Sequence, residues 1–166
     1  MGSRDTDLKP NRHPMASGIP CEHAVPAGQL PVLIPICSCI VYELTVQSCF
    51  AAAHAIVMGG IREPIHGHNW DVRVVIRAPR LDADGLLCDF HAVEKGLAAI
   101  IARFHNRHLN EVEPFTTINP TAELVARHIA LELAAKLGPV LAPQDGRIAK
   151  VSVTEAPGCT AAFEPD

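Results

Sequence analysis

The chain has 166 residues and a mass of 17.8 kDa, the size of one ordinary domain. Apolar residues make up 48% and charged residues 19%, with a net charge of −4 when histidines are neutral, which excludes the basic footprint of a nucleic-acid binder. The longest apolar runs, such as Leu97–Ala102, fall far short of the ~18 residues of a membrane span. Pro31 and Pro35 interrupt Leu30–Ile36, so no signal peptide is expected, and six cysteines without paired spacing suggest reduced thiols in a cytoplasmic domain.

Residues 1–38 hold six of the fourteen prolines and no hydrophobic period, and read as an extended or disordered leader to a domain spanning 39–166. In Tyr42–His54 the even positions carry Tyr42, Leu44, Val46, Phe50, Ala52 and His54, the alternation of a strand with one wet face. His66–Arg77 repeats it with Trp70, Val72, Val74 and Ile76. Gly59, Gly60 and Pro64 mark the loop between. Asp89 is a helix N-cap before the stripe Phe90, Val93, Leu97, Ile100, Ile101 and Phe104. Asn119-Pro120 reads as the start of a second helix, which Gly138-Pro139 stops near Leu137. Ala149, Val151, Val153 and Glu155 then alternate with Lys150, Ser152 and Thr154, and Pro157-Gly158 turns the chain into a last strand, Cys159–Phe163. The order is ββααββ: an α+β fold, an antiparallel sheet with two helices on one face.

His66 and His68 lie two residues apart on the apolar parity of their strand, and His54 ends the preceding strand on the same parity. A hairpin brings the three imidazoles to one end of the sheet, the ligand set of an open zinc site; the alternative is three neutral, hydrogen-bonded core histidines. Gly67 is read as the small residue that lets the two flanking ligands close on one ion. Glu155 ends an apolar face with a carboxylate, which a ligand carrying two N–H donors would satisfy. If the strand ends at Thr154, Glu155 is solvated instead. Asp89 is explained as a cap and Asp71 as a solvated side chain, while His91, His108 and His128 read as helix or loop histidines.

Phe50-Ala51-Ala52-Ala53-His54, His66-Gly67-His68-Asn69-Trp70, Leu87-Cys88-Asp89-Phe90, His108-Leu109-Asn110, Asn119-Pro120-Thr121-Ala122-Glu123 and Val153-Thr154-Glu155-Ala156 follow in order. Together they resemble the 6-pyruvoyltetrahydropterin synthase / 6-carboxytetrahydropterin synthase family, from about Cys39 to Pro165. The resemblance implies the tunnelling fold, a homohexamer, and Zn2+ held by His54, His66 and His68. It also implies a pterin substrate, normally 7,8-dihydroneopterin triphosphate, anchored by Glu155, with Thr121 and Glu123 at the same pocket.

Two positions depart from the family pattern. The usual cysteine, four residues before the first histidine of His-Gly-His, is Arg62; Glu63 instead matches a variant class with Glu-x-x-His-Gly-His, which is similar to enzymes that cut the side chain to leave 6-hydroxymethyl-dihydropterin. The family's Asp-His pair is His105-Asn106, so His105 is the candidate for the relay and Glu63 for the acid–base group. The resemblance therefore implies a zinc-dependent carbon–oxygen or carbon–carbon lyase, with a non-catalytic pterin- and zinc-binding paralogue as the alternative.

Overall fold

The computed structural model describes residues 41–165. The expectation for the leader 1–38 lies outside the described residues, as do Cys21, Cys37 and Cys39. Cys49, Cys88 and Cys159 are free thiols. No described helix is long and apolar enough to cross a membrane.

Two long strands, β1 (Tyr42–His54) and β4 (His66–Ala78), pair antiparallel over their full length, from Tyr42 opposite Ala78 to His54 opposite His66. Alternation decides their faces. Leu44, Val46, Phe50, Ala52 and His54 of β1 are buried, as are Trp70, Val72, Val74 and Ile76 of β4, while Gln47, Asp71 and Arg73 are exposed. Between them a small hairpin forms from β2 (Val57–Met58) and β3 (Ile61–Arg62). Its two-residue turn is Gly59-Gly60, with φ of 57° and 82°, the left-handed pair that a tight hairpin turn demands.

Helix α1 (Phe90–Ile101) is capped by Asp89, whose Oδ1 accepts from His91 N–H at 2.9 Å. Val93, Leu97, Ile100, Ile101 and Phe104 of the expected stripe are buried, but Phe90 is exposed at the first turn. After α1 comes β5 (Arg107–His108), which pairs parallel to Ala52 and Ala53 of β1. The strand β6 (Arg147–Ala156) lies antiparallel to β4, and β7 (Cys159–Phe163) antiparallel to β6. The sheet therefore runs β5-β1-β4-β6-β7 and is mixed rather than purely antiparallel, because two residues after α1 fall into register beside β1.

Helix α2 (Ala122–Leu141) differs from expectation at both ends. Its N-cap is Thr121, whose Oγ1 accepts from Leu124 N–H at 3.4 Å; Asn119 is engaged elsewhere. The helix also continues through Pro139 to Leu141. An internal proline costs about 3 kcal/mol, but Leu137 and Leu141 are both buried in the core, and burying a leucine contributes roughly 1.5–3 kcal/mol. Val125, Ile129 and Leu133 of α2 join the two helices and the apolar sheet face in one continuous core.

Candidate metal centre

The β1–β4 register brings His54 opposite His66, with His68 two residues on. One ring nitrogen from each lies within 4.8 Å of the others. Ring centroids are 4.6 Å apart for His54 and His66, 4.8 Å for His66 and His68, and 5.3 Å for His54 and His68. Trp70 floors the group, edge-on to His54 at 4.8 Å, and its Nε1 donates to the Ala52 carbonyl at 3.1 Å. Burial falls off from His54 through His68 to the exposed His66, so the set opens on one side.

The donor chemistry fits a divalent metal. His54 Nδ1 lies 2.8 Å from the Pro120 carbonyl oxygen, which can only accept. Nδ1 therefore carries the proton and Nε2 keeps its lone pair. His66 Nδ1 makes the same kind of bond to the Pro64 carbonyl at 3.0 Å. The Nε2 atoms of His54 and His68 are buried and have no partner among the described residues, the state in which a metal ligand is left when its ion is not counted. Burial also pushes the His54 pKa down, keeping the imidazole neutral for coordination.

Two asparagines hold the loop that leaves His54. Asn110 bonds both backbone groups of Ala55, accepting from its N–H at 2.9 Å and donating to its carbonyl at 2.8 Å. Asn119 does the same to Val57, at 3.0 Å in each direction. Each amide acts as a one-residue strand neighbour. That clamp, rather than capping, is the work of Asn119, and it places the Pro120 carbonyl on His54. Both asparagines belong to motifs visible in the sequence, but nothing in their spacing identifies what they bind.

Glu155 joins the histidines. Its Oε2 is 4.0 Å from His54 Nε2 and its side chain is 32% exposed. The β6–β7 register passes from Thr154–Thr160 to Ala156–Cys159, so Glu155 sits in a bulge without a partner on β7. On its other side, β4 and β6 part after Asp71–Thr154. The separation opens a cleft of about 450 Å3 whose lining includes His68, Asn69, Asp71, Thr154 and Glu155.

Glu63 lies beside the group. Its Oε1 accepts from Ile56 N–H at 2.9 Å and is 3.6 Å from His66 Nδ1, while its own N–H donates to the Ile56 carbonyl at 3.0 Å. His105 is exposed and its Nδ1 accepts from Ala51 N–H at 3.3 Å; no contact joins it to the histidine group. Thr121 spends its hydroxyl on the α2 cap, and Glu123 is exposed in the first turn of that helix. Gly67 plays a different part from the one expected. Its missing side chain would project from the face opposite the histidines, where a Cβ would meet nothing closer than 3.8 Å, so it does not make room for the ion.

Comparison with known proteins agrees with this geometry. A protein from Archaeoglobus fulgidus named as a "putative 6-carboxy-5,6,7,8-tetrahydropterin synthase" is 31% identical over 91 residues, covering 55% of this chain and 75% of its own length. The fold is similar to that of Caenorhabditis elegans 6-pyruvoyl tetrahydropterin synthase, with a TM-score of 0.64 at 21% identity over 76% of this chain and 96% of that one. It is equally similar (TM-score 0.64, 20% identity, 76% and 98% covered) to a Plasmodium vivax 6-pyruvoyltetrahydropterin synthase in which a glutamate described as a catalytic residue is replaced by alanine. The family description 6-pyruvoyl tetrahydropterin synthase matches residues 43–166, three quarters of the sequence, and with the histidine group in place the chain belongs to that family.

Proposed function

We propose that this protein is a zinc-dependent lyase that acts on the side chain of 7,8-dihydroneopterin or its triphosphate. The preferred reaction is cleavage to 6-hydroxymethyl-dihydropterin. The observation that carries the reading is the convergence of three imidazoles, two with buried nitrogens that have no partner among the described residues, with the Glu155 carboxylate 4.0 Å from His54 Nε2. His54, His66 and His68 would hold the zinc, which supplies a Lewis acid beside the substrate side chain. Glu155 anchors the ring by accepting two N–H bonds, and Thr121 and Glu123 border the pocket. Glu63 accepts a side-chain proton. Its place next to His66, and the Plasmodium vivax relative whose catalytic residue is a glutamate, support that role where the family's cysteine is replaced by Arg62.

The active form is a homohexamer in the cytoplasm. Among the described residues β5 covers only Ala52 and Ala53 on the outer side of β1, and β7 has no outer neighbour, so two sheet edges are available for pairing. A second reading, a non-catalytic pterin- and zinc-binding paralogue, draws on the bond from Ile56 N–H to Glu63, which gives that carboxylate a purely structural task.

Incubation of the zinc-loaded protein with dihydroneopterin and with its triphosphate, followed by mass analysis, separates the readings. Release of 6-hydroxymethyl-dihydropterin supports cleavage, loss of triphosphate indicates elimination, and binding without product selects the paralogue. Glu63→Gln is expected to lower turnover by ~100-fold or more with binding retained. Glu155→Gln is expected chiefly to weaken binding, because an amide turns a donor against ring N–H groups. Equal binding loss in both variants would refute this division of roles.

A further inference from the structure

Ala55, Ile56 and Val57 carry the chain from the metal ligand His54 into the β2–β3 hairpin, beyond the last β1–β4 pair. Each of their six backbone groups is bonded, four of them to the amides of Asn110 and Asn119. Ile56 faces the other way, towards Glu63, in the pair that would follow Val57–Arg62 in the hairpin register. The Glu63 N–H donates to the Ile56 carbonyl at 3.0 Å, as a ladder requires. The return bond, from Ile56 N–H, goes instead to Glu63 Oε1 at 2.9 Å. The carboxylate thus stands in for its own residue's carbonyl, and Pro64, which has no N–H, ends the ladder. The same oxygen is 3.6 Å from His66 Nδ1, and the Glu63 side chain is 21% exposed.

We propose that Asn110 is the positioning residue of Glu63, acting through the peptide group between Ala55 and Ile56. The inference rests on the reading of Glu63 as the group that accepts a side-chain proton. The N–H that holds the Glu63 carboxylate and the Ala55 carbonyl belong to one rigid plane. Asn110 Nδ2 donates to that carbonyl at 2.8 Å, and Asn110 Oδ1 accepts from Ala55 N–H at 2.9 Å. The side-chain amide, the peptide group and the carboxylate therefore form one chain of hydrogen bonds, in which each bond polarises the next. Asn119 holds the following peptide group in the same way, through Val57 N–H, while Glu63 N–H holds its carbonyl end. With Oε1 fixed by Ile56, the carboxylate presents Oε2 to the substrate from one place instead of sampling several rotamers. Asn110 thereby ties the spacing of Glu63 to the strand that begins at His54, without touching the substrate.

The test compares wild type, Asn110→Ala, Asn110→Asp, Glu63→Gln and the Asn110→Ala/Glu63→Gln double variant as full-length proteins at saturating zinc, with dihydroneopterin as substrate. Asn110→Ala is expected to lower kcat ~10-fold or more with KM nearly unchanged. The double variant should turn over no more slowly than Glu63→Gln alone, because a residue that acts through Glu63 then has nothing left to position. Independently of turnover, NMR should show amide exchange at Ile56 quickened ~10-fold or more in Asn110→Ala, by more than exchange in the core of β4. Asn110→Asp keeps the acceptor for Ala55 N–H and loses the donor to the Ala55 carbonyl, so it reads the same relay if Asn110→Ala does not fold. Wild-type kcat in the folded, zinc-loaded Asn110 variant, or losses that add in full in the double variant, would overturn the inference and leave the lyase reading intact. Absence of turnover in the wild type would overturn both.

Discussion

The two ends of the β1–β4 ladder are built on the same alternation and meet different fates. At one end Glu43 faces Arg77 across the strands, on the wet face, and Arg77 reaches Glu43 Oε2 through both Nε and Nη2 at 2.9 Å. Both partners are about half exposed, and each charge is answered. At the other end His54 faces His66, and Nε2 of His54 and of the neighbouring His68 are buried with no partner among the described residues. A satisfied, solvated pair stabilises a sheet edge only slightly. An enclosed nitrogen without a protein partner is a cost, and it is the state expected of a ligand that a metal ion would complete. Polar residues in register are thus ambiguous until burial and partner are known.

The comparison breaks most sharply at the metal end. His66→Ala and His68→Ala should each reduce zinc from about one ion per chain to background, by elemental analysis, with circular dichroism nearly unchanged. Stoichiometric zinc in the His54/His66/His68 triple alanine variant would sink the assignment.

The next effect belongs to the loop clamp. Asn110→Ala leaves the Ala55 N–H and carbonyl unanswered, so urea unfolding should show a loss of about 1–3 kcal/mol. Zinc affinity should fall ~10-fold or more as His54 loses its support. A variant as stable as wild type would mean that water replaces the amide.

His128 offers a smaller, pH-dependent effect. It packs against Phe104 and Phe115, and burial pushes its pKa below the usual histidine value despite the opposing pull of Glu132. The unfolded chain then binds a proton at higher pH than the folded one does. Stability therefore falls as pH drops from about 6.5 towards the lowered folded value, and His128→Gln should flatten that slope in thermal melts. An identical slope in the variant would assign the acid sensitivity to other groups.

Smallest of all, Glu43→Gln at the satisfied end should change stability by less than about 1 kcal/mol, and less still at high salt. Metal content there should stay at the wild-type level. A larger loss would show that the two ends are not so different.

Much of the site was legible because strand geometry is a two-residue code. Parity alone put His54, His66, His68 and Glu155 on the face of Phe50, Trp70 and Val153, and the resemblance to the pterin synthase family named the likeness those positions carry. Less legible were residues whose chemistry suits two tasks equally. Asn119 before Pro120 has the form of a helix cap, yet its amide spans Val57 while Thr121 caps α2. Trp70 looked like core and is also the floor of the metal site. His108 read as an ordinary loop histidine, since nothing near it in sequence announces that one nitrogen meets Glu111 and the other is buried without a partner among the described residues.

Local periodicity determined from the sequence alone the two long strands, the helix opened by Asp89, the strand pair around Pro157-Gly158 and the common face of the three histidines. Those features depend on side-chain alternation and on caps, which neighbours in sequence supply. The tertiary structure decided the parallel β5 pairing, the extension of α2 through Pro139, the bulge that frees Glu155 and the parting of β4 from β6 that opens its cleft. Each of these balances a local penalty (a lost hydrogen bond, an unpaired residue) against burial or bonding to a segment distant in sequence, and that balance exists only once the chain has folded.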